Sequence, residues 1–270
     1  MEAAANTGRC ATRHPIMLIH GTGGRDRRRL SYWGRIPKAL QGEGAAVFTG
    51  GQDSWGTIED NAEVLRQSLQ KALEETGAEK LNLIAHSKGG LDARYLISRL
   101  GMAEQVASLT TLSTPHHGSR TMEKLCRLPA WLFRLAALFV NGYFRLLGDK
   151  KPDFAAVCRQ FTCSYMEAFN KEVPNAEGVL YRSYGSVMQN GRCDWLMRVP
   201  FWVIRWVEGE NDGLVTPESA RWGEYRGLLP GGSLGVSHAD MVDLRRRDRK
   251  GTKVRELYID IAASLKEAGL

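Results

Sequence analysis

Residues 81–90 read Leu-Asn-Leu-Ile-Ala-His-Ser-Lys-Gly-Gly. The run from Leu81 to Ala85 predicts a strand buried on both faces, as in a parallel sheet. It passes directly into Ser87, and Leu91, Arg94 and Tyr95 continue as a helix. A serine between a buried strand and a helix suits a nucleophile elbow, a strained turn that exposes the hydroxyl. Strand and helix backbones approach closely there, so the positions two before and two after the serine must be small. They are Ala85 and Gly89. The pattern is AxSxG rather than GxSxG, and alanine still meets the size limit. The plain alternative is a serine that only caps a helix. The strand before it, the helix after it and the order of the remaining parts outweigh that alternative.

Working outward, Pro15 to His20 is a second short apolar run, feeding the loop Gly21-Thr22-Gly23-Gly24. Residues 45–48 read as another strand. Thr57-Ile58-Glu59-Asp60 resembles a capping box, and Ile58, Ala62, Leu65, Leu69, Ala72 and Leu73 follow at helical spacing until Gly77. Val106 to Leu112 is a further strand, ending at Ser113-Thr114-Pro115. Strands alternating with helices predict an α/β chain with a mostly parallel central sheet flanked by helices. Val179 to Tyr184 reads as a strand. Phe201 to Val207 fits strand or helix. Residues 252–268 read as an amphipathic helix. From 121 to 175 the alternation breaks into a helical, apolar stretch. With 270 residues and 43% hydrophobic content, the chain suits one domain, 1–270.

Serine needs a base to take its proton. Of the six histidines, only His238 lies late in the chain, and an α/β-hydrolase elbow is followed by the acid and then the histidine. Asp212, in Glu210-Asn211-Asp212-Gly213, fits the acid best, with Asp194 and Glu210 as competitors. An Asp-Gly pair alone would read as a turn. The oxyanion hole needs two backbone N–H groups. The Lys88 amide follows the nucleophile, and Thr22 is the choice from the loop after the first strand.

Composition narrows the rest. The formal net charge is +7. A soluble basic surface explains this, and attraction to anionic lipid is the sharper reading. Arg245-Arg246-Arg247, with Arg249 and Lys250, reads as a solvated helix start or loop. No nucleic-acid motif accompanies it, so no nucleic-acid partner is expected. Five cysteines without a CxxC pair argue against a zinc site, and Cys163 with Cys193 is the candidate for a single bridge. Residues 1–15 contain no apolar signal-peptide core, so the chain reads as cytoplasmic unless a leader has already been removed. Residues 128–147 are apolar, but Arg134 and Arg145 interrupt them, short of the roughly 20 apolar residues of a membrane span.

HPIMLIHGTGG, LNLIAHSKGGLDARYLIS, LTTLSTPHHGS, ENDGLV and SHADMV together resemble the bacterial triacylglycerol lipases of Pseudomonas and Burkholderia and related lipase-like hydrolases of Gram-positive bacteria. The resemblance implies an α/β-hydrolase fold cleaving carboxylic esters, with Ser87, Asp212 and His238 as the triad and an ester or lipid as substrate. A thioesterase, phospholipase or acyltransferase could use the same site, and a silent binding protein could share the fold. The resemblance also implies a helical lid at 121–160 in contact with a lipid interface. Leu132, Leu135 and Phe139 on its apolar face would meet the acyl chain, although an ordinary core helix reads similarly. No cofactor is needed for the chemistry. Many relatives bind one structural calcium, for which Asp194 and Asp240 are the matching ligands. The amide ligand expected four residues after Asp240 is replaced by Leu244.

Overall fold

The computed structural model describes residues 8–26, 31–246, 248 and 251–270. The N-terminal residues 1–7, Arg247, Arg249 and Lys250 therefore lie outside the described residues. Chain order is β1 (Ile16–Ile19), α1 (Ile36–Gly42), β2 (Val47–Thr49), α2 (Ile58–Thr76), β3 (Leu81–His86), α3 (Gly89–Ser98) and β4 (Val106–Leu112). Then follow α4 (Arg120–Leu125), α5 (Ala130–Leu146), α6 (Phe154–Gln160), α7 (Cys163–Glu172), β5 (Leu180–Gly185), α8 (Arg198–Val207), β6 (Glu224–Leu228) and α9 (Val254–Glu267).

The six strands form one sheet in the order β2-β1-β3-β4-β5-β6, and every pairing is parallel. Side chains alternate across a strand. Ile16, Leu18 and Ile84 therefore face α1 and α9, meeting Ile36, Leu40, Tyr258 and Ile261. Met17, Ile19, Leu83 and Ala85 face α2 and α3, meeting Ala62, Leu65, Leu69 and Leu96. Both faces of β3 are covered, which is why its sequence is a run rather than an alternation. The fold is that of an α/β-hydrolase.

The capping expectation at α2 is met. Thr57 accepts a hydrogen bond from the Asp60 amide, and Gly77 ends the helix in the left-handed region at φ 67°. Strand β2 begins two residues later than the sequence suggested. The ambiguous segment 201–207 is helical, part of α8. Strand β6 and helix α1 had no sequence expectation. None of the five cysteines is in a disulfide, so Cys163 and Cys193 are not bridged. Among the described residues no helix is long and apolar enough to cross a membrane.

Candidate active site

The elbow is sterically exacting. Ser87 has φ 54°, a region that non-glycine residues rarely occupy. The turn is held by Ser87 N–H donating to the Leu112 carbonyl at 2.9 Å and by Thr114 Oγ1 donating to the Ser87 carbonyl at 2.7 Å. A Cβ on Gly89 would lie 2.5 Å from the carbonyl oxygens of Ile19 and His20, so the small-residue requirement two positions after the serine is real. Gly21 is equally constrained, because its Cβ would meet Ser87 Cβ at 2.6 Å. The glycine loop after β1 thus passes directly against the serine.

His238 and Asp212 come from two loops beyond the sheet's C-terminal edge. His238 Nδ1 donates to Asp212 Oδ2 at 2.9 Å, and the His238 amide donates to the Asp212 carbonyl at 2.8 Å. Asp212 is fully buried. It also accepts from Ser186 Oγ (3.2 Å), Leu214 N (3.0 Å) and Val215 N (2.8 Å). Burial works to raise this carboxyl, but His238 and the amide donors outweigh it and hold it below the ordinary carboxylate range. The competitors lie elsewhere. Glu210 is exposed, and Asp194 accepts from Ser237 Oγ at 2.7 Å and pairs with Arg245.

Four of the other histidines that the sequence offered are engaged differently. His20 bonds the carbonyls of Gly21 and Gln52, His116 contacts Thr111 and Arg94, and His117 bonds the Arg221 carbonyl. His86 shares a 2.7 Å hydrogen bond with the Tyr32 hydroxyl, and its ring centroid lies 4.4 Å from that of His238. Burial first, then the neighbouring His238, lowers its pKa far below the usual imidazole value, so it is neutral at pH 7. Sequence reasoning missed Tyr32 entirely, since nothing distinguishes it from other loop aromatics.

Ser87, His238 and Thr22 open onto one apolar cavity of about 770 Å³. Lys88 stands at the N-terminus of α3. Its side chain is buried, paired with Asp92 at 2.5 Å, and Asp92 in turn accepts from Asn61 at 3.0 Å. The backbone beside the serine is anchored through that network. Residues 121–160 cover the cavity with α4, α5 and α6, contributing Met122, Leu128, Leu132, Phe133, Ala136 and Phe154. Leu132 is where the resemblance put it, but Leu135 and Phe139 are not in the lining. They are 48% and 69% exposed on the outer side of α5. The half-buried side of α5 runs through 133, 137, 140 and 144, so residues 135 and 139 fall on the opposite side of the helix, while Leu132 reaches the cavity from its rim. Leu196, Met197, Leu214, Val215, Val242 and Leu244 complete the wall from loops, where no periodicity marks them.

Asp194 and Asp240 do come together. The positive charge between them is the Arg245 guanidinium, which bonds Asp240 Oδ1 at 2.9 Å and Asp194 Oδ1 at short range. Arg245 is therefore not part of a solvated run. Among the described residues no group of three or more His, Cys, Asp or Glu side chains could hold a metal ion. The two carboxylates do not fit a calcium site.

A model of the palmitoyl protein thioesterase family matches residues 15–230. The chain belongs to that family. The resemblance to triacylglycerol lipases also holds. Triacylglycerol lipase 2 of Saccharomyces cerevisiae is 34% identical over 233 residues, covering 81% of this chain and 64% of that protein. The triacylglycerol lipase of Burkholderia plantarii is 34% identical over 62% of this chain and 49% of its own length. That of Pseudomonas fragi is 29% identical over 96% of this chain and 98% of its own length. The chain thus spans about half to two thirds of the first two relatives. Among solved structures, a metagenomic carboxyl esterase superposes with TM-score 0.74 at 15% identity, over 95% of this chain and 76% of that one. The mature lipase of Bacillus licheniformis superposes with TM-score 0.68 at 18% identity, over 97% and 95%. At such identities the likeness establishes the α/β-hydrolase fold alone.

Proposed function

We propose that this chain is a serine hydrolase that transfers the acyl group of a carboxylic ester to water. The observation that carries the reading is the buried His238–Asp212 pair on the wall of the apolar cavity that also contains the Ser87 elbow. Asp212 fixes the imidazole with its proton on Nδ1, leaving Nε2 to accept the Ser87 hydroxyl proton. Ser87 Oγ attacks the ester carbonyl, and the amides of Thr22 and Lys88 hold the oxyanion. The tetrahedral intermediate collapses, the C–O bond to the alcohol breaks, and His238 returns the proton to that alcohol. Water then attacks the acyl-enzyme, again deprotonated by His238, and frees the acid and Ser87.

Ser87→Ala tests the reading. Turnover of p-nitrophenyl esters should fall by about 10⁶-fold, with loss of fluorophosphonate labelling; retained turnover by the variant overturns the assignment. The family match at residues 15–230 favours a second reading, in which the scissile bond is a thioester. A panel pairing palmitoyl and butyryl oxygen esters with the matching thioesters decides between leaving groups. The cavity's apolar lining supports a long acyl chain in either case.

The partner is a lipid surface, met through the covering helices. Helix α5 exposes Trp131, Leu138, Phe139, Tyr143 and Leu146, while α8 exposes Val199, Trp202 and Trp206, the last being 86% accessible. Neither helix contains an acidic residue, and Arg134, Arg145, Arg198 and Arg205 are exposed on them. Apolar, aromatic and cationic faces of this kind suit the boundary of an anionic bilayer. Monomeric proteins rarely leave so large an apolar surface uncovered.

A further inference from the structure

We propose that Arg245 is a positioning residue that serves as a built-in cation, holding the His238 loop where a metal-dependent design would need a divalent ion. The inference rests on the catalytic role of His238 proposed above. Asp194 lies before α8 and is fully buried, and Asp240 follows His238 by two residues. One guanidinium bridges them, with Nη1 on Asp240 and Nη2 on Asp194. The planar fork of arginine suits two carboxylates better than a point charge does. Further acceptor positions on Asp194 are also used. Asp194 accepts from Ser237 Oγ at 2.7 Å and from the Leu196 amide at 2.9 Å. Ser237 Oγ in turn accepts from the Asp240 amide at 3.1 Å.

The bridge therefore ties residues 194–196 to residues 237–240, and His238 sits between two tethered neighbours. Burial alone would raise the Asp194 carboxyl, but Arg245 and Ser237 together hold it below its ordinary range. A calcium ion prefers six to eight oxygen ligands. Here the Oδ1 atoms of both aspartates already face the guanidinium, and position 244 offers an apolar side chain. Arg245 supplies the positive charge between the carboxylates without a metal, so the geometry of His238 should be independent of divalent ions.

The test uses the full chain, with melting curves and soluble-ester kinetics. The wild type should melt at the same temperature in EGTA, in calcium chloride and in plain buffer. Arg245→Gln removes the guanidinium from the fully buried Asp194 and from Asp240 and should melt roughly 5–10 °C lower. Its kcat should fall by about tenfold or more while KM stays within about twofold, because the acyl cavity is untouched. If Arg245→Gln fails to fold, the double variant Asp194→Asn/Arg245→Gln and the single variant Arg245→Lys carry the test. Removing charge from both sides should restore much of the melting temperature, and the lysine variant should fall between wild type and glutamine in kcat. A wild-type melt lowered by EGTA, or an Arg245→Gln protein with unchanged melting and kcat, overturns the proposal. The melting arms need no activity, so they remain informative even if the Ser87 assignment fails.

Discussion

The β3–α3 elbow and helix α5 are both apolar in sequence, yet the fold treats them in opposite ways. All six residues of β3 and eight of the ten in α3 are buried. None of the seventeen residues of α5 is. The elbow is enclosed because its backbone must pass within contact distance of the β1 loop, leaving Gly21 and Gly89 no room for a side chain. Helix α5 meets the body of the protein along one side, where Phe133 and Phe144 face Phe154 and Trp55. Apolar sequence states that a segment needs cover. It does not state what the cover is.

After Ser87→Ala, the largest expected effect again probes the enclosed side. Asp212→Asn keeps the shape but favours the wrong imidazole tautomer, and kcat on a soluble ester should drop by about 10⁴-fold. A loss under about tenfold would separate His238 from Asp212 in function. On the exposed side, Leu138→Glu combined with Trp206→Glu should cut binding to phosphatidylglycerol-containing vesicles by about tenfold or more. Hydrolysis of p-nitrophenyl butyrate by this variant should stay within about twofold, and equal vesicle binding in a flotation assay would remove the lipid surface from the reading.

Smaller effects divide α5 itself. Leu132→Ala should lower the ratio of long-chain to short-chain kcat/KM by about tenfold, whereas Leu135→Ala, on the outer side, should leave that ratio within about twofold. If both variants behave alike, Leu132 does not line the acyl site. The smallest effect concerns acid. His116 is buried, and burial, followed by Arg94, lowers its pKa well below the imidazole value. As pH falls below about 6.5 the unfolded chain takes up a proton at this residue that the folded one refuses, so stability declines. His116→Gln should make the decline between pH 7 and pH 5.5 shallower by ~1 kcal/mol, measured by urea unfolding at both values. An unchanged slope would show that the enclosed side does not carry this acid sensitivity.

Much of the site was legible beforehand because its parts are local. The strand–serine–helix pattern requires only neighbours in sequence, and His238 stood out because the other histidines come too early. The choice among Asp194, Glu210 and Asp212 was not legible from residues alone, since all three sit in loops after β5. The structure separates them by partner: His238 for Asp212, Arg245 for Asp194, and solvent for Glu210. Strand β6 was missed because its sequence, Glu-Tyr-Arg-Gly-Leu, lies at the sheet edge and alternates without a strong apolar run.

Sequence by itself determined the parallel sheet and the strand–serine–helix pattern of the elbow. Both follow from side-chain size and periodicity over a few adjacent residues, whereas the choice of acid and base leaned on the resemblance. Tertiary structure decided which face of α5 looks inward, which loop residues line the cavity, and that Arg245 stands between Asp194 and Asp240. Those outcomes depend on contacts between distant residues, such as Asp194 with Arg245, 51 positions away. No local pattern encodes a meeting that only the closing of the sheet and its loops brings about.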